Sequence, residues 1–173
     1  SRTGDSRSPR STPTLCASMA KALPYLAVGR VRDTTTLASC SFIDVEEQRT
    51  KTEDIFKKLL AAAQQKLKPG QRTRLQWNDG SVCCLMDQQG EYLYCVVNSF
   101  MEYPEHYAYQ LLQECLAAVQ KIPTDTLRSA KEGGLSEVMK PKMVQLMAKY
   151  EEPTNFDHEK PKLSPNVSEA RGL

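Results

Sequence analysis

Residues Glu91 to Val119 read EYLYCVVNSFMEYPEHYAYQLLQECLAAV, and this stretch decides the fold. Its first half is aromatic and β-branched, the composition of a strand. Tyr103-Pro104 ends that run, and a helical pattern starts at once. Tyr107, Leu111, Leu112, Cys115, Ala118, Val119 and Ile122 recur along one helix face, which predicts a helix over Glu105 to Lys121. Pro104 falls close to the helix start, where a missing N–H is harmless. A strand feeding a helix in this way belongs to a small sheet with a helix laid on it. No catalytic signature interrupts it, so function is to be sought in a surface.

Upstream, Arg72 to Asn78 and Ser81 to Asp87 read as two strands, and Glu91 to Ser99 as a third. Asn78-Asp79-Gly80 and Gln88-Gln89-Gly90 between them are turn sequences. Thr52 to Leu67 carries Ile55, Phe56, Leu59, Leu60, Ala63 and Leu67 at helical spacing. Thr52 is the expected N-cap, with Glu53 and Asp54 in the first turn where the helix dipole favours them. Lys66, Lys68, Pro69 and Gly70 supply the stop. Leu23 to Val31 and Thr35 to Ile43 read as a hairpin joined by Arg32-Asp33-Thr34. Beyond Pro123 the pattern weakens, and a last short helix is expected over Lys142 to Tyr150 with Pro141 in its first turn.

The order is strand, strand, helix, three strands, helix and a short last helix. It predicts an α+β sandwich with the 52–67 helix on one face of a shared sheet. Residues 1–20 are expected to be a disordered arm, 21–150 the folded domain and 151–173 a linker. The arm is rich in Ser, Arg, Pro and Thr and has almost nothing to bury. Its Ser8-Pro9 and Thr12-Pro13 are candidate proline-directed phosphorylation sites.

Composition narrows the class. With 173 residues, 40% hydrophobic and 25% charged, the chain supports one domain plus tails. The 23 Lys and Arg balance 21 Asp and Glu to a net +2, which argues against a nucleic-acid footprint. Lys66, Lys68, Arg72, Arg74 and Trp77 are grouped, but acidic residues flank them and no RNP-like aromatic pair is present. No apolar run approaches the roughly 20 residues that span a bilayer. The Ser/Arg-rich start does not resemble a signal peptide, which favours a cytoplasmic setting.

Six cysteines stand at 16, 40, 83, 84, 95 and 115. They contain no CxxC pair, and adjacent Cys83 and Cys84 on a strand point to opposite faces. Reduced thiols packed in a core are the expectation. Two histidines, His106 and His158, read as solvated side chains, and no HExxH, GxSxG or phosphate-loop motif occurs. Cys40, Cys83 and Cys95 have no histidine near them in sequence. The expectation is therefore a non-enzyme with no metal and no cofactor. What remains is the apolar stripe of the 52–67 helix, which Phe56 beside Ile55 makes wider than one sheet contact needs. An edge strand next to such a helix can receive an extended or helical peptide.

The chain from Leu23 to Tyr150 resembles a longin domain, the N-terminal regulatory module of certain R-SNAREs. The most specific segment is LYCVVNSFMEYPEHYAYQLLQECLAAV, similar to the strand, acidic-Tyr-Pro turn and helix start of the lipid-anchored, prenylated member. LMAKYEEPTNFDHEK, from Leu146 to Lys160, is similar to the segment joining that member's longin domain to its SNARE motif. GQRTRL before the third strand fits as well. The resemblance implies a profilin-like fold, with a five-stranded antiparallel sheet between one helix and two. It implies a role in vesicle targeting and fusion on the cytosolic face of endomembranes (Golgi, endosome or vacuole). Implied partners are a SNARE motif, the protein's own or another's, sorting or coat proteins, and a lipid tail. The family's groove lies between the first helix and the third strand. Phe56, Leu59 and Leu60, with Leu75, Val82 and Cys84, are its candidate lining. No SNARE heptad follows Glu159, and the chain ends Arg-Gly-Leu rather than in a CaaX box. The alternative is a profilin-like or longin-like subunit of an adaptor, tethering or signal-recognition-receptor complex.

Overall fold

A computed structural model of the chain describes residues 21–152. The expected arm lies outside these residues, as does all of the expected linker beyond Glu152. The element order is β1 (Tyr25–Arg30), β2 (Thr35–Ser41), α1 (Glu46–Lys66), β3 (Arg72–Trp77), β4 (Gly80–Met86), β5 (Tyr92–Asn98), α2 (Glu105–Gln120), α3 (Thr124–Ser129) and α4 (Ser136–Tyr150). The strands form one five-stranded sheet in the order β2-β1-β5-β4-β3, with every neighbouring pair antiparallel. The α+β class and the five-stranded antiparallel sheet are thus as expected from the sequence.

Alternate strand residues enter two separate buried clusters, as the two-residue period of a strand requires. Tyr25, Ala27, Val82, Cys84, Met86, Leu93 and Cys95 pack with Phe56, Leu60 and Ala63 of α1. Leu26, Val28, Cys83, Leu85, Tyr94 and Val96 pack with Leu111, Leu112 and Cys115 of α2 and Met139, Met143 and Leu146 of α4. Cys83 and Cys84 do face opposite ways. Because β4 and β5 are covered on both sides, every residue in them is buried. That is why they read as near-continuous apolar runs rather than as alternating ones.

Several boundaries differ from expectation. The first helix begins at Glu46, six residues ahead of Thr52. Thr52 is not a cap but a buried residue within the helix, its hydroxyl donating to the Gln48 carbonyl at 2.9 Å. The extra turns, EEQRTK, are polar and largely exposed, so they carry no apolar period to announce them. Glu46 and Glu47 occupy the first turn, where the helix dipole favours acidic side chains. The last helix starts at Ser136, not Lys142, and holds Pro141 in its interior. Pro141 is exposed, so the backbone bond its ring removes is lost on the solvent side. The six-residue α3 was not anticipated, being too short to show a period. The hairpin strands are shorter than Leu23 to Val31 and Thr35 to Ile43, which leaves Phe42 and Ile43 beyond the end of β2.

The sheet's two edges are treated differently. β2 is covered, because Gly133 and Leu135 donate backbone N–H groups to the carbonyls of Thr36 (2.7 Å) and Leu37 (2.9 Å). β3 pairs only with β4, and its other side is open. Met86 N–H donates to the Gln71 carbonyl, which sets the hydrogen-bonding phase of the β3–β4 ladder. In that phase the backbone groups of Arg72, Arg74 and Gln76 point away from β4, toward the open edge.

Candidate partner-binding groove

Three segments converge at one end of the sheet. The chain leaves β2 through Phe42 and Ile43, Phe42 N–H donating to the Pro24 carbonyl at 2.8 Å. Arg49, in the first turn of α1, reaches back to the Ile43 carbonyl at 3.1 Å and holds this crossing in place. Val45 stands at the N-cap of α1 and supplies no side-chain cap bond. It is 59% exposed, an unusual position for a branched apolar side chain. On the other side the β3–β4 turn presses against the end of β5. Asn78 takes the left-handed conformation at φ 54°. Gly80 leaves no room for a side chain, since a Cβ there would lie 1.9 Å from the Asn98 carbonyl oxygen. The third segment is Ser99 to Met101, where Phe100 and Met101 are each 45% exposed.

Between these segments runs a groove of about 550 Å3. Pro24, Phe42, Ile43, Val45, Trp77, Val97 and Phe100 supply its apolar wall, and Lys21, Asp44, Gln48 and Asn78 its polar rim. Trp77 belongs to both the groove and β3, so the groove continues onto the open sheet edge. Thr73, Leu75 and Trp77 share the α1 side of β3, because they pair with Cys84, Val82 and Gly80. α1 itself packs chiefly across β1, β2 and β5. That offset leaves Leu75 with 42% of its surface exposed.

The six sequence-derived groove residues fall into two groups. Phe56, Leu60, Val82 and Cys84 are buried side chains of the cluster beneath α1. The structure places them in packed core, where a guest could touch them only if the helix lifted. Leu59 is half-buried at the margin of that cluster, and Leu75 is open to solvent. Sequence reasoning missed Phe42, Ile43, Val45 and Phe100. Their one signal was apolar residues standing next to strand ends, where periodicity does not apply.

Comparison with known protein families yields no match. No family model fits the chain, and no curated protein matches it.

The described residues contain no group of His, Cys, Asp and Glu able to hold a metal ion. Nor is any described helix long and apolar enough to cross a membrane. Cys40, Cys83, Cys84, Cys95 and Cys115 are free and buried. Burial pushes the Cys83 thiol up to about 11, and burial with the Cys84 sulfur beside it raises Cys95 far above the ordinary thiol range. Cys95 Sγ lies 3.0 Å from Cys84 Sγ across the β4–β5 ladder. Neutral, enclosed thiols of this kind pack as small apolar groups and make poor nucleophiles. His106 rests its ring on Tyr107, with the centroids 4.1 Å apart.

Proposed function

We propose that this chain is a non-catalytic regulatory module of the longin type. On this reading it serves vesicle-mediated transport and membrane fusion at the cytosolic face of endomembranes. It does so by holding a SNARE segment or a sorting partner on the α1–β3 side of its sheet. The observation that carries the reading is β3, an open edge strand with exposed Leu75 whose last residue, Trp77, is also a wall of the apolar groove. An extended segment can pair with the outward backbone groups of Arg72, Arg74 and Gln76 while its apolar side chains settle beside Leu75. Its continuation meets Val45, Phe42 and Phe100. The element order and the five-stranded antiparallel sheet support the same reading, being what the longin resemblance implies.

The end of the described chain supports an occupant from the same protein. Glu151 is hydrogen-bonded to the backbone of Ala22 and Leu23, and Lys21 and Pro24 on either side of that pair line the groove. The described chain therefore ends close to the groove's rim, and a segment C-terminal to Glu152 is joined covalently at that point. Short tethers raise the effective concentration of such a segment to the millimolar range.

The test is a nuclear magnetic resonance titration of isotope-labelled protein with a SNARE-motif peptide. Amide shifts are expected at Val45, Leu75, Trp77 and Phe100, and Leu75→Asp should abolish them while leaving the rest of the spectrum intact. An unperturbed spectrum at saturating peptide would defeat the reading.

A further inference from the structure

A second site stands at the opposite end of the β1–β5 pair. The groove lies near Tyr25↔Val97, whereas Arg30↔Tyr92 closes the other end. There Arg30, Arg32 and Arg128 line a small cavity of about 190 Å3 together with Glu91 and Tyr92. That is well above the volume a single water requires.

The cavity is built rather than incidental. Arg30 is only 7% exposed. Its Nε and Nη2 donate to the Asp33 carboxylate at 2.9 and 2.8 Å, and its Nη1 donates to the Leu127 carbonyl at 2.9 Å. Arg32 donates to the Arg128 carbonyl at 3.1 Å, which ties the β1–β2 turn to α3. The Tyr92 hydroxyl is buried and has no hydrogen-bond partner. A buried polar group left unpaired is rare in a folded protein and calls for a missing partner.

Donors outnumber acceptors here. Asp33 is taken up by Arg30, and Glu91 meets Arg128 only at 3.6 Å on an exposed rim. Arg32 pairs with no carboxylate among the described residues. With Asp87 counted, whose carboxylate accepts from the Glu91 and Tyr92 N–H groups, three guanidinium groups face three carboxylates, and Arg32 is the cation that none of them pairs. An anion rich in acceptor oxygens would supply a partner for both Arg32 and the Tyr92 hydroxyl, and guanidinium forks match a phosphate in both charge and shape. Arg128 is 55% exposed, so it can swing aside to admit the ligand and then close over it. The cavity also adjoins a larger one of about 290 Å3 that shares Glu91, Tyr92 and Arg128 and mixes polar side chains, Asp87 and Gln120 among them, with apolar ones such as Leu116 and Val119.

We propose that Arg30, Arg32, Arg128 and Tyr92 form a binding site for a phosphate monoester, carried either by a small molecule or by a lipid headgroup. It does not depend on the groove or on the function assigned to it.

The experiment uses the full chain and two probes. Inorganic phosphate is titrated against isotope-labelled protein, with Tyr92→Phe and Arg32→Gln as variants that keep the buried ring and leave Arg30 locked. Saturable shifts are expected at the amides of Arg30 to Asp33, Tyr92 and Arg128. Affinity should fall about tenfold in Tyr92→Phe, the loss of one hydrogen bond to a charged group. A drop of similar size is expected in Arg32→Gln. Vesicles of phosphatidylcholine with and without phosphatidic acid then distinguish the carriers. Sedimentation with the phosphatidic acid vesicles that free phosphate reverses assigns the headgroup, and saturable phosphate binding without sedimentation assigns a soluble ligand. Absence of shifts at these amides with either probe overturns the proposal. So does binding that both variants leave unchanged.

Discussion

The Glu151 carboxylate accepts the backbone N–H of Ala22 at 2.5 Å, although 129 positions separate the two residues in sequence. The same carboxylate accepts from Leu23 at 3.2 Å, and Tyr103 donates its hydroxyl to the carbonyl of Tyr150 at 2.7 Å. Both ends of the described chain are thereby fastened to one corner of the sheet. Glu151→Ala leaves two N–H groups without their charged acceptor and should cost about 1–3 kcal/mol, measured by urea unfolding. An unchanged midpoint would show that water replaces the carboxylate at no cost.

Phe56 and Leu75 were read from sequence as neighbours in one groove, and their exposures of 2% and 42% separate them. Phe56→Ala should lose about 3–5 kcal/mol, because it empties a site in the packed cluster beneath α1. Phe56→Glu should unfold the domain outright, as a buried charge with no partner. Leu75→Ala should stay within about 0.5 kcal/mol of the parent protein. Thermal melts of the three variants check this directly, and a stable Phe56→Glu protein would contradict the packing described.

Gly80 offers a sharper steric test. Its absent Cβ would sit 1.9 Å from the Asn98 oxygen and 2.7 Å from the Ser99 carbonyl carbon, and both are backbone atoms that cannot rotate away. Gly80→Ala should therefore displace the β3–β4 turn from the end of β5. A loss above about 2 kcal/mol is expected, with altered amide shifts at Val45 and Phe100 across the groove. Gly133→Ala, with nothing closer than the Ser136 hydroxyl at 3.9 Å, meets no clash and suffers only from its positive φ of 70°.

Alkaline pH should weaken the fold through its thiols. Burial raises Cys83 to about 11 and Cys115 to about 12, whereas an unfolded thiol titrates near 9. The folded state holds these protons more tightly, so the associated stability is complete below pH 9 and declines as pH rises through 9 to 12. Peptide mapping after iodoacetamide treatment at pH 8 should find Cys83 and Cys115 unlabelled in native protein and labelled in urea. Rapid labelling of either in the native state would contradict the enclosure described.

Much of the fold was legible because β4, β5 and α2 are strongly patterned. Cys95-Val96-Val97 cannot avoid being a buried strand, and Leu111, Leu112 and Cys115 cannot avoid lying on one helix face. The start of α1 was illegible for the converse reason. Residues 46–51 are helical yet polar and largely exposed, so no periodic signal marks them. Thr52 carries a capping side chain in an ordinary capping context, but tertiary placement turned it inward. Pro141 read as a boundary and lies within α4, because Met139, Met143 and Leu146 bury the other side of that helix.

The amino-acid sequence by itself determined the order of elements, the α+β class and the apolar faces that must meet. Those depend on local spacing, which a chain carries wherever it folds. Only the tertiary structure decided which apolar side chains stay in contact with solvent. That choice turns on the offset of α1 across β1, β2 and β5, which buries Phe56 and spares Leu75, and on a loop that seals the edge of β2 while leaving β3 open. Exposure is a relation between elements far apart in sequence, and no local pattern encodes it.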